Sequence, residues 1–585
     1  MLIAHVFEAI WRTRIDSFPR NYLLISGLAA IVVAWIVGPV HAPAPDEAEN
    51  GKIKPRRASR PVSAIIALGV VALILIGYVA VVLKWEAFAD YDDDVFTLFT
   101  LRGRDFYPPI WPTTGRFFPL GQQEFNLIRH FTSSVAGYHA VPICQLLILC
   151  CLLAFLDDAL PIAARLAQAA ILLLLSSIVI SFTGLVFSER NVVFWLICLV
   201  FFVARYERTR NAAWAVAAAL SAQAMLYYKE TAFLLLVGFA AGRLLLRCRR
   251  QDGDGWDFRR LRARESRLDW CLIALVAAFL LYYASVMSLH PSFGYADAYS
   301  VPWTQAVLYY LRLDLLALLL ILAVLWRAYR IWRGKLTPEP FWDALAFGGV
   351  ACCAAYLYLR LRRPYYLAPV DVIAVLYLGH LLVPSWKRMP AWSKAATSLV
   401  TAAVLLQNLS LSAFRVYERE NRLHAKAELA DAIIARSQRE SSHPQTLFFP
   451  FSSPYYIMEF ASYLVYRGVD VEGYEATNAE SPLGVTLVST ALAKDAPCRY
   501  YRDIVCRAGV RPKSGDLVIE LPDDPESSAD VKPYRDGGEL LFTYEPRPQI
   551  PHSMYPLSDH VGVAGWTPLS ALPDRWLESS MVLWK

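Results

Sequence analysis

Four carboxylates fall within five residues at Asp90-Tyr91-Asp92-Asp93-Asp94, directly after a long apolar block. Charges that close repel one another, so the cluster needs a cause. One cause is a helix start: acids satisfy orphan N–H groups and the dipole, and Val95–Leu101 could be the interfacial helix they cap. The other cause is chemistry. A carboxylate held among carboxylates binds a proton more tightly, which suits Asp92, Asp93 or Asp94 to take one from a hydroxyl. Adjacent acids also suit a divalent cation (Mg, Mn or Ca) beside a phosphate, with Asp92 and Asp94 as candidate ligands.

Further charged residues stand where apolar blocks end. The acidic loop continues through Arg116, Phe117, Phe118 and Glu124, a mixture of aromatic and polar residues expected at headgroup level. Its rings could anchor the loop there or stack on a sugar. Ser188-Glu189-Arg190-Asn191 and Tyr227-Tyr228-Lys229-Glu230 mark two more block ends; Lys229 beside Glu230 is either a plain interfacial pair or part of a site. Arg360, Arg362 and Arg363 precede Pro364-Tyr365-Tyr366-Leu367-Ala368-Pro369. Arginine suits bidentate recognition of phosphate; a salt bridge to the acidic loop or to anionic lipid is the alternative. Together these residues are an inventory for moving a group off a phosphate. Cations (Lys229, Arg360, Arg362, Arg363) neutralise the phosphate, Asp92–Asp94 supply a base, and Arg116, Glu124, Glu189, Glu230 and Tyr365 contact the substrate.

The elements that must hold them are membrane helices. Of 585 residues 56% are hydrophobic and 18% charged, below the roughly 25% charged of a soluble domain. The apolar residues gather in about twelve blocks of spanning length: 22–40, 62–84, 139–156, 164–184, 191–205, 211–228, 231–247, 270–288, 305–326, 342–359, 366–384 and 394–412. Asp314 is the main charge inside them. No small-residue cleavage site follows the first block, so it reads as a retained helix. Residues 1–61 form an extra membrane segment and linker, 62–412 the transmembrane catalytic part, and 413–585 a soluble α/β domain.

Basic residues at 205–210, 243–267, 327–335 and 387–394 fall on one side if the blocks alternate, which makes that side cytoplasmic. The acidic loop, Lys229, the Arg360 segment and the C-terminal domain then lie outside the cytoplasm. Consistent alternation puts the N-terminus outside, whereas Arg12, Arg14 and Arg20 argue for inside. The net charge of +6 is topology information and gives no reason to expect nucleic-acid binding. In the tail, Thr446–Phe451, Asp516–Leu521 and Glu539–Tyr544 read as strands and Tyr455–Arg467 as a helix. Cys498 and Cys506, alone there, suit a disulfide in an oxidising compartment.

The pattern resembles the GT-C class of polytopic glycosyltransferases, which includes the protein mannosyltransferases and the lipid A aminoarabinose transferases. The resemblance rests on Asp92-Asp93-Asp94 in the first external loop, Lys229-Glu230, and Arg363-Pro364-Tyr365 before a late helix. It covers roughly residues 62–412 and implies a mainly α-helical GT-C-like fold in the inner or plasma membrane. It further implies inverting transfer from a polyprenyl-phosphate sugar to a glycan, lipid or protein acceptor outside the cytoplasm. Asp92 or Asp93 would be the base, and Lys229 and Arg363 would face the donor phosphate. Three consecutive aspartates replace the simpler Asp-Glu pair, which leaves the base unassigned. An envelope polysaccharide polymerase or ligase, which depends more typically on external Arg and His, is the alternative enzyme. A lipid-linked sugar transporter is the alternative of another class, and it would carry ionisable residues near helix centres.

Overall fold

The computed structural model describes residues 18–38, 61–85, 115–249, 255–287, 314–361, 364–439, 445–449, 454–471, 484–489, 507–508, 516–520, 540–543 and 582–584, with a few positions between 88 and 111 and between 302 and 310. By their contacts these residues form two compact units that divide α14 between Ser412 and Ala413.

The first unit is helical: α1 Phe18–Val37, α2 Pro61–Leu83, the start of α3 Gln123–Ile128 (which from Phe125 belongs to the second unit), α4 Val135–Ala154 from His139 onward, α5 Ile162–Leu174, α6 Ser176–Thr183, α7 Ser188–Thr209, α8 Ala212–Tyr228, α9 Ala232–Cys248, α10 Arg267–Met287, α11 Leu315–Trp332, α12 Pro340–Tyr358, α13 Ala368–Ser385 and the first part of α14 Ala391–Arg439. A short hairpin, β1 Ile110–Trp111 with β2 Arg116–Phe117, precedes α3. Seven helices among the described residues are long and apolar enough to cross a membrane, and the bent pair α5–α6 makes an eighth. The chain is a multi-pass membrane protein.

Each expected block has its helix, with two corrections. The block at 164–184 is not one helix: the chain bends by 67° at Leu175. All eight residues of α6 are buried, including Ser176, Ser177, Ser181 and Thr183. Its exposed backbone donors need internal partners at that depth, and the Asn408 side chain accepts from the Ser176 N–H and hydroxyl at 3.0 Å each. The block at 305–326 is not one helix either: positions 303, 304, 306, 307 and 310 are helical, and Asp314 stands outside the helix that follows. Its carboxylate caps α11, accepting from the Ala317 N–H at 2.8 Å. The charged residue expected within a helix is instead Asp371, in the first turn of α13, which is buried and accepts from the Ser177 hydroxyl.

Contacts between loops fix which helix ends lie together. Arg243 and Arg247 both reach Glu207 at 2.7 Å, and Arg249 donates to the Trp332 carbonyl at 3.4 Å. Three of the basic segments therefore share one end, the basic end. The first helix runs with the alternation. Tyr22 packs edge-on against Tyr227 at 5.3 Å, while the Ile36 carbonyl accepts from Arg267 at 2.9 Å. The N-terminal end of α1 thus lies at the end opposite the basic loops.

Glycine sets the close crossing of α9 and α12. A Cβ on Gly348 of α12 would stand 2.7 Å from the Leu235 carbonyl of α9, and one on Gly238 would stand 2.8 Å from the Gly348 Cα. Small residues let the two backbones touch without hydrophobic side chains between them. The crossing brings Thr231, before α9, to Tyr356, near the end of α12, with hydroxyl oxygens 2.7 Å apart.

In the second unit the charged part of α14 leads to a mixed sheet of β3 Gln445–Phe449, β4 Asp470–Val471, β5 Gly484–Ser489, β6 Arg507–Ala508, β7 Leu517–Glu520, β8 Leu540–Thr543 and β9 Val582–Trp584. The order is β4-β5-β3-β7-β9-β8, with β6 on β5. Strands β4, β5, β3 and β7 are parallel and β9 and β8 close the sheet antiparallel. Helix α15 Pro454–Tyr466 is the crossover from β3 to β4. The strands expected in the tail and its helix are present. The eight described cysteines are free thiols; Cys498 and Cys506 lie outside the described residues.

Candidate active site

At the end away from the basic loops, three tight connections bring six charged side chains together. The first is Phe187–Asn191, where the chain enters α7. Glu189 and Arg190 occupy the first turn, and a carboxylate there is favoured by the helix dipole. The second is Lys229-Glu230-Thr231, the corner between antiparallel α8 and α9. Lys229 is extended, ends α8 by donating its N–H to the Met225 carbonyl at 3.2 Å, and offers its own carbonyl to Ala232 at 3.1 Å. The third is the hairpin loop from Gly115 to Glu124, tied to that corner by the Leu120 N–H donating to the Tyr227 carbonyl at 3.0 Å.

The charges pair across these connections. The Lys229 ammonium lies 2.8 Å from the Glu189 carboxylate, with side chains 7% and 3% exposed. Arg190 donates to Glu124 Oε1 at 2.5 Å, and Asn191 donates to the same oxygen at 2.7 Å. Gln145, from within α4, donates to Asn191 at 2.9 Å. Arg116 Nε donates to Glu230 Oε1 at 3.0 Å. The second oxygens of Glu124 and Glu230 are buried without a hydrogen-bond partner among the described residues, as is Arg190 Nε. An unpaired buried polar atom costs about 1–3 kcal/mol, so these atoms are the least satisfied part of the cluster.

Aromatic faces complete it. The Lys229 ammonium lies 5.1 Å from the Tyr366 ring centre and 5.9 Å from that of Phe118, while the Arg116 guanidinium lies 4.6 Å from Phe118. Tyr366 stacks on Tyr356 at 5.1 Å and touches Tyr365 at 4.5 Å; Tyr365 in turn contacts Phe187 at 4.5 Å. Beneath the hairpin, Phe117 is walled by Phe279, Tyr282 and Tyr283 at 5.5–5.8 Å.

No protein-family model matches this chain, and no curated protein matches it. Among solved structures it is similar to the crystal structure of ArnT from Cupriavidus metallidurans bound to undecaprenyl phosphate. The identity is 13%, the TM-score 0.46, and the match covers 82% of this chain and 96% of that one.

Of the residues expected to contact substrate, Arg116, Glu124, Glu189, Lys229, Glu230 and Tyr365 all belong to this cluster. Arg360 does not join it. It is the left-handed residue, φ 55°, that closes α12, with its N–H on the Leu357 carbonyl at 3.0 Å and the next N–H on Tyr356 at 3.2 Å. Glycine is the usual residue there, so the backbone position does not itself call for an arginine. Asp92, Asp93, Asp94, Arg362 and Arg363 lie outside the described residues. Among the described residues no group of three or more His, Cys, Asp or Glu side chains is arranged to hold a metal. Tyr356 was not singled out in the sequence; Phe118 was offered there as an anchor or a sugar-stacking ring, and Arg190 and Tyr366 were named only as parts of their segments. Arg190 and Tyr366 each adjoin a residue that was singled out, and helix-end position was the available signal. Gln145 gives no signal, being one polar residue inside an apolar block.

Proposed function

We propose that the chain is a GT-C-like membrane glycosyltransferase. In this reading it moves a sugar from a polyprenyl-phosphate donor to an envelope glycan, lipid or protein acceptor at the extracytoplasmic face. The observation that carries the reading is the interleaved cluster of Lys229, Arg116 and Arg190 with Glu189, Glu230 and Glu124, walled by tyrosine and phenylalanine faces.

The acceptor hydroxyl attacks the anomeric carbon as the carbon–oxygen bond to the phosphate breaks, with inversion. The bonding electrons leave on the phosphate, and the hydroxyl proton passes to an aspartate of Asp92–Asp94. Fixed cations act on that charge in a site of low exposure, where they are worth far more than in water. The Lys229 ammonium is ion-paired with Glu189 at 2.8 Å, and the Tyr366 face holds it in place. The unpaired oxygens of Glu124 and Glu230 suit sugar hydroxyls as hydrogen-bond donors. Asp92 and Asp94 would hold a divalent cation if the reaction needs one.

Purified full-length protein is incubated with a panel of polyprenyl-phosphate sugars, with and without chelator. The expected result is free polyprenyl phosphate from one donor and a product of inverted configuration; loss on chelation would assign Asp92 and Asp94 to a cation. Reaction only with polyprenyl-diphosphate donors would make the chain a polymerase or ligase. Movement of a donor across proteoliposomes without chemical change would make it a transporter.

A further inference from the structure

The basic end carries two classes of cation. Arg208, Arg243, Arg247 and Arg327 pair with Asp158, Glu207, Asp269 and Asp343. Arg249, Arg259, Arg262, Arg330, Arg333 and Lys335 have no carboxylate within ion-pair distance among the described residues, although the same end is rich in acids. Arg330 Nε is buried without a hydrogen-bond partner.

The segment that carries half of these cations is built. Arg249 and Trp256 form an antiparallel bridge, and the Asp257 N–H donates to the Cys248 carbonyl at 2.6 Å, so the chain folds back on α9. Asp257 then caps a 3-10 turn at Phe258–Arg262. Trp270 donates to the Leu261 carbonyl at 2.8 Å, and Arg247 to the Glu265 carbonyl at 2.6 Å. This scaffold turns two large rings outward. Trp256 and Phe258 stack with planes 12° apart and are 42% and 61% exposed.

Helix α11 ends beside it, where Arg249 donates to the Trp332 carbonyl. There Trp326, Tyr329 and Trp332 are 53%, 49% and 73% exposed. Arginines lie against these rings: Arg249 on Trp256 at 5.6 Å, Arg330 on Trp326 at 5.6 Å, and Arg333 on Tyr329 and Trp332 at 5.5 and 5.9 Å. Exposed aromatic rings sit at the headgroup level of a bilayer. Cations there without an internal counter-ion are complementary to anionic headgroups.

We propose that Arg249, Arg330 and Arg333, with the Trp256–Phe258 and Trp326–Trp332 rings, form a binding site for an anionic phospholipid headgroup. The lipid's phosphate supplies the counter-charge that the protein omits, and its glycerol backbone lies against the rings. Binding bridges the ends of α9 and α11, which the Arg249–Trp332 hydrogen bond also joins.

The test uses the purified full chain in detergent, titrated with phosphatidylglycerol, phosphatidylcholine or inorganic phosphate. Native mass spectrometry reads retained lipid and thermal unfolding reads stability. Phosphatidylglycerol is expected to be retained and to raise the unfolding temperature, and the other two are not. One arginine near an anionic surface is worth about fivefold in binding, so Arg249→Gln with Arg333→Gln should weaken retention on the order of 30-fold. Arg249→Lys with Arg333→Lys should keep most of it, which separates lost charge from lost fold. Equal retention of both lipids by the native protein, or an undiminished preference in the glutamine variant, would overturn the site. Mimicry by inorganic phosphate would show an ion site and not a lipid site.

Discussion

Two buried clusters of the helical unit, one around Asp343 and one around Glu124 and Glu230, pair carboxylates with arginines and satisfy them differently. At the basic end Asp343 is saturated. Its Oδ1 accepts from Arg327 at 2.6 Å and Tyr377 at 2.7 Å, and its Oδ2 accepts from Arg327 at 2.9 Å and the Glu339 N–H at 2.8 Å. Beside it His380 lies between Asp157 at 2.7 Å and Glu339 at 2.6 Å, stacked on Trp342. At the other end Glu230 and Glu124 each leave an oxygen unused, and Lys229 is held by one carboxylate and two ring faces. A saturated cluster is a finished piece of architecture. An unsaturated one is costly for the fold, and at Glu124 and Glu230 the proposed substrate would complete it.

Removing a partner from each end should break the comparison or confirm it. At the saturated end, Asp343→Ala leaves the Arg327 guanidinium buried without its bidentate partner, at a cost of about 3–5 kcal/mol. The expected outcome is a strong fall in unfolding temperature and yield, with normal transfer per folded molecule. Transfer lost in molecules that remain fully stable would assign Asp343 to the chemistry. At the unsaturated end, Lys229→Met should lower transfer on the order of 10²–10³-fold, the scale for losing one oriented donor to developing charge. Pairing it with Glu189→Gln removes the stranded carboxylate, so the double variant should regain stability without regaining activity. Regained activity would reduce Lys229 to a structural partner of Glu189.

The sequence exposed the helices because lipid demands long apolar runs, and it exposed the site because charge tolerated at a helix end is conspicuous there. Glu189, Lys229 and Glu230 were legible for that reason. Partners across space were not. Nothing in Phe118 or Tyr366 says that they face one lysine, since aromatic residues abound at membrane interfaces for anchoring alone. The bend at Leu175 was hidden because α5 and α6 together have the length and apolarity of one span. The left-handed backbone of Arg360 was hidden too, because glycine is the usual signal for a helix end of that kind. Asp371 was passed over inside an apolar block, its hydroxyl partner Ser177 lying far away in the chain.

A milder change sharpens the claim that ring faces matter. Arg116→Lys keeps the charge near Glu230 but loses the planar guanidinium over Phe118. That contact is worth about 1 kcal/mol, so kcat/KM for transfer should fall about fivefold with stability nearly unchanged. A value equal to that of the native protein would mean that Arg116 contributes charge alone.

The smallest effect belongs to the edge of the saturated end. Glu339 is half-exposed and its carboxyl is held below the ordinary glutamate range, first by the hydrogen bond from His380, against the opposing effect of burial. A depressed carboxyl stabilises the fold fully above the ordinary glutamate range and loses that contribution as pH falls through the depressed value. Exposure screens the pair, so Glu339→Gln should cost at most about 1 kcal/mol at neutral pH. The discriminating readout is the difference between native and variant unfolding temperatures across an acid titration. The difference should shrink as Glu339 becomes protonated, since the native carboxyl then resembles the amide. A difference that stays constant through that range would mean that Glu339 acts by packing around His380 and Trp342, and that the basic end is closed by shape more than by charge.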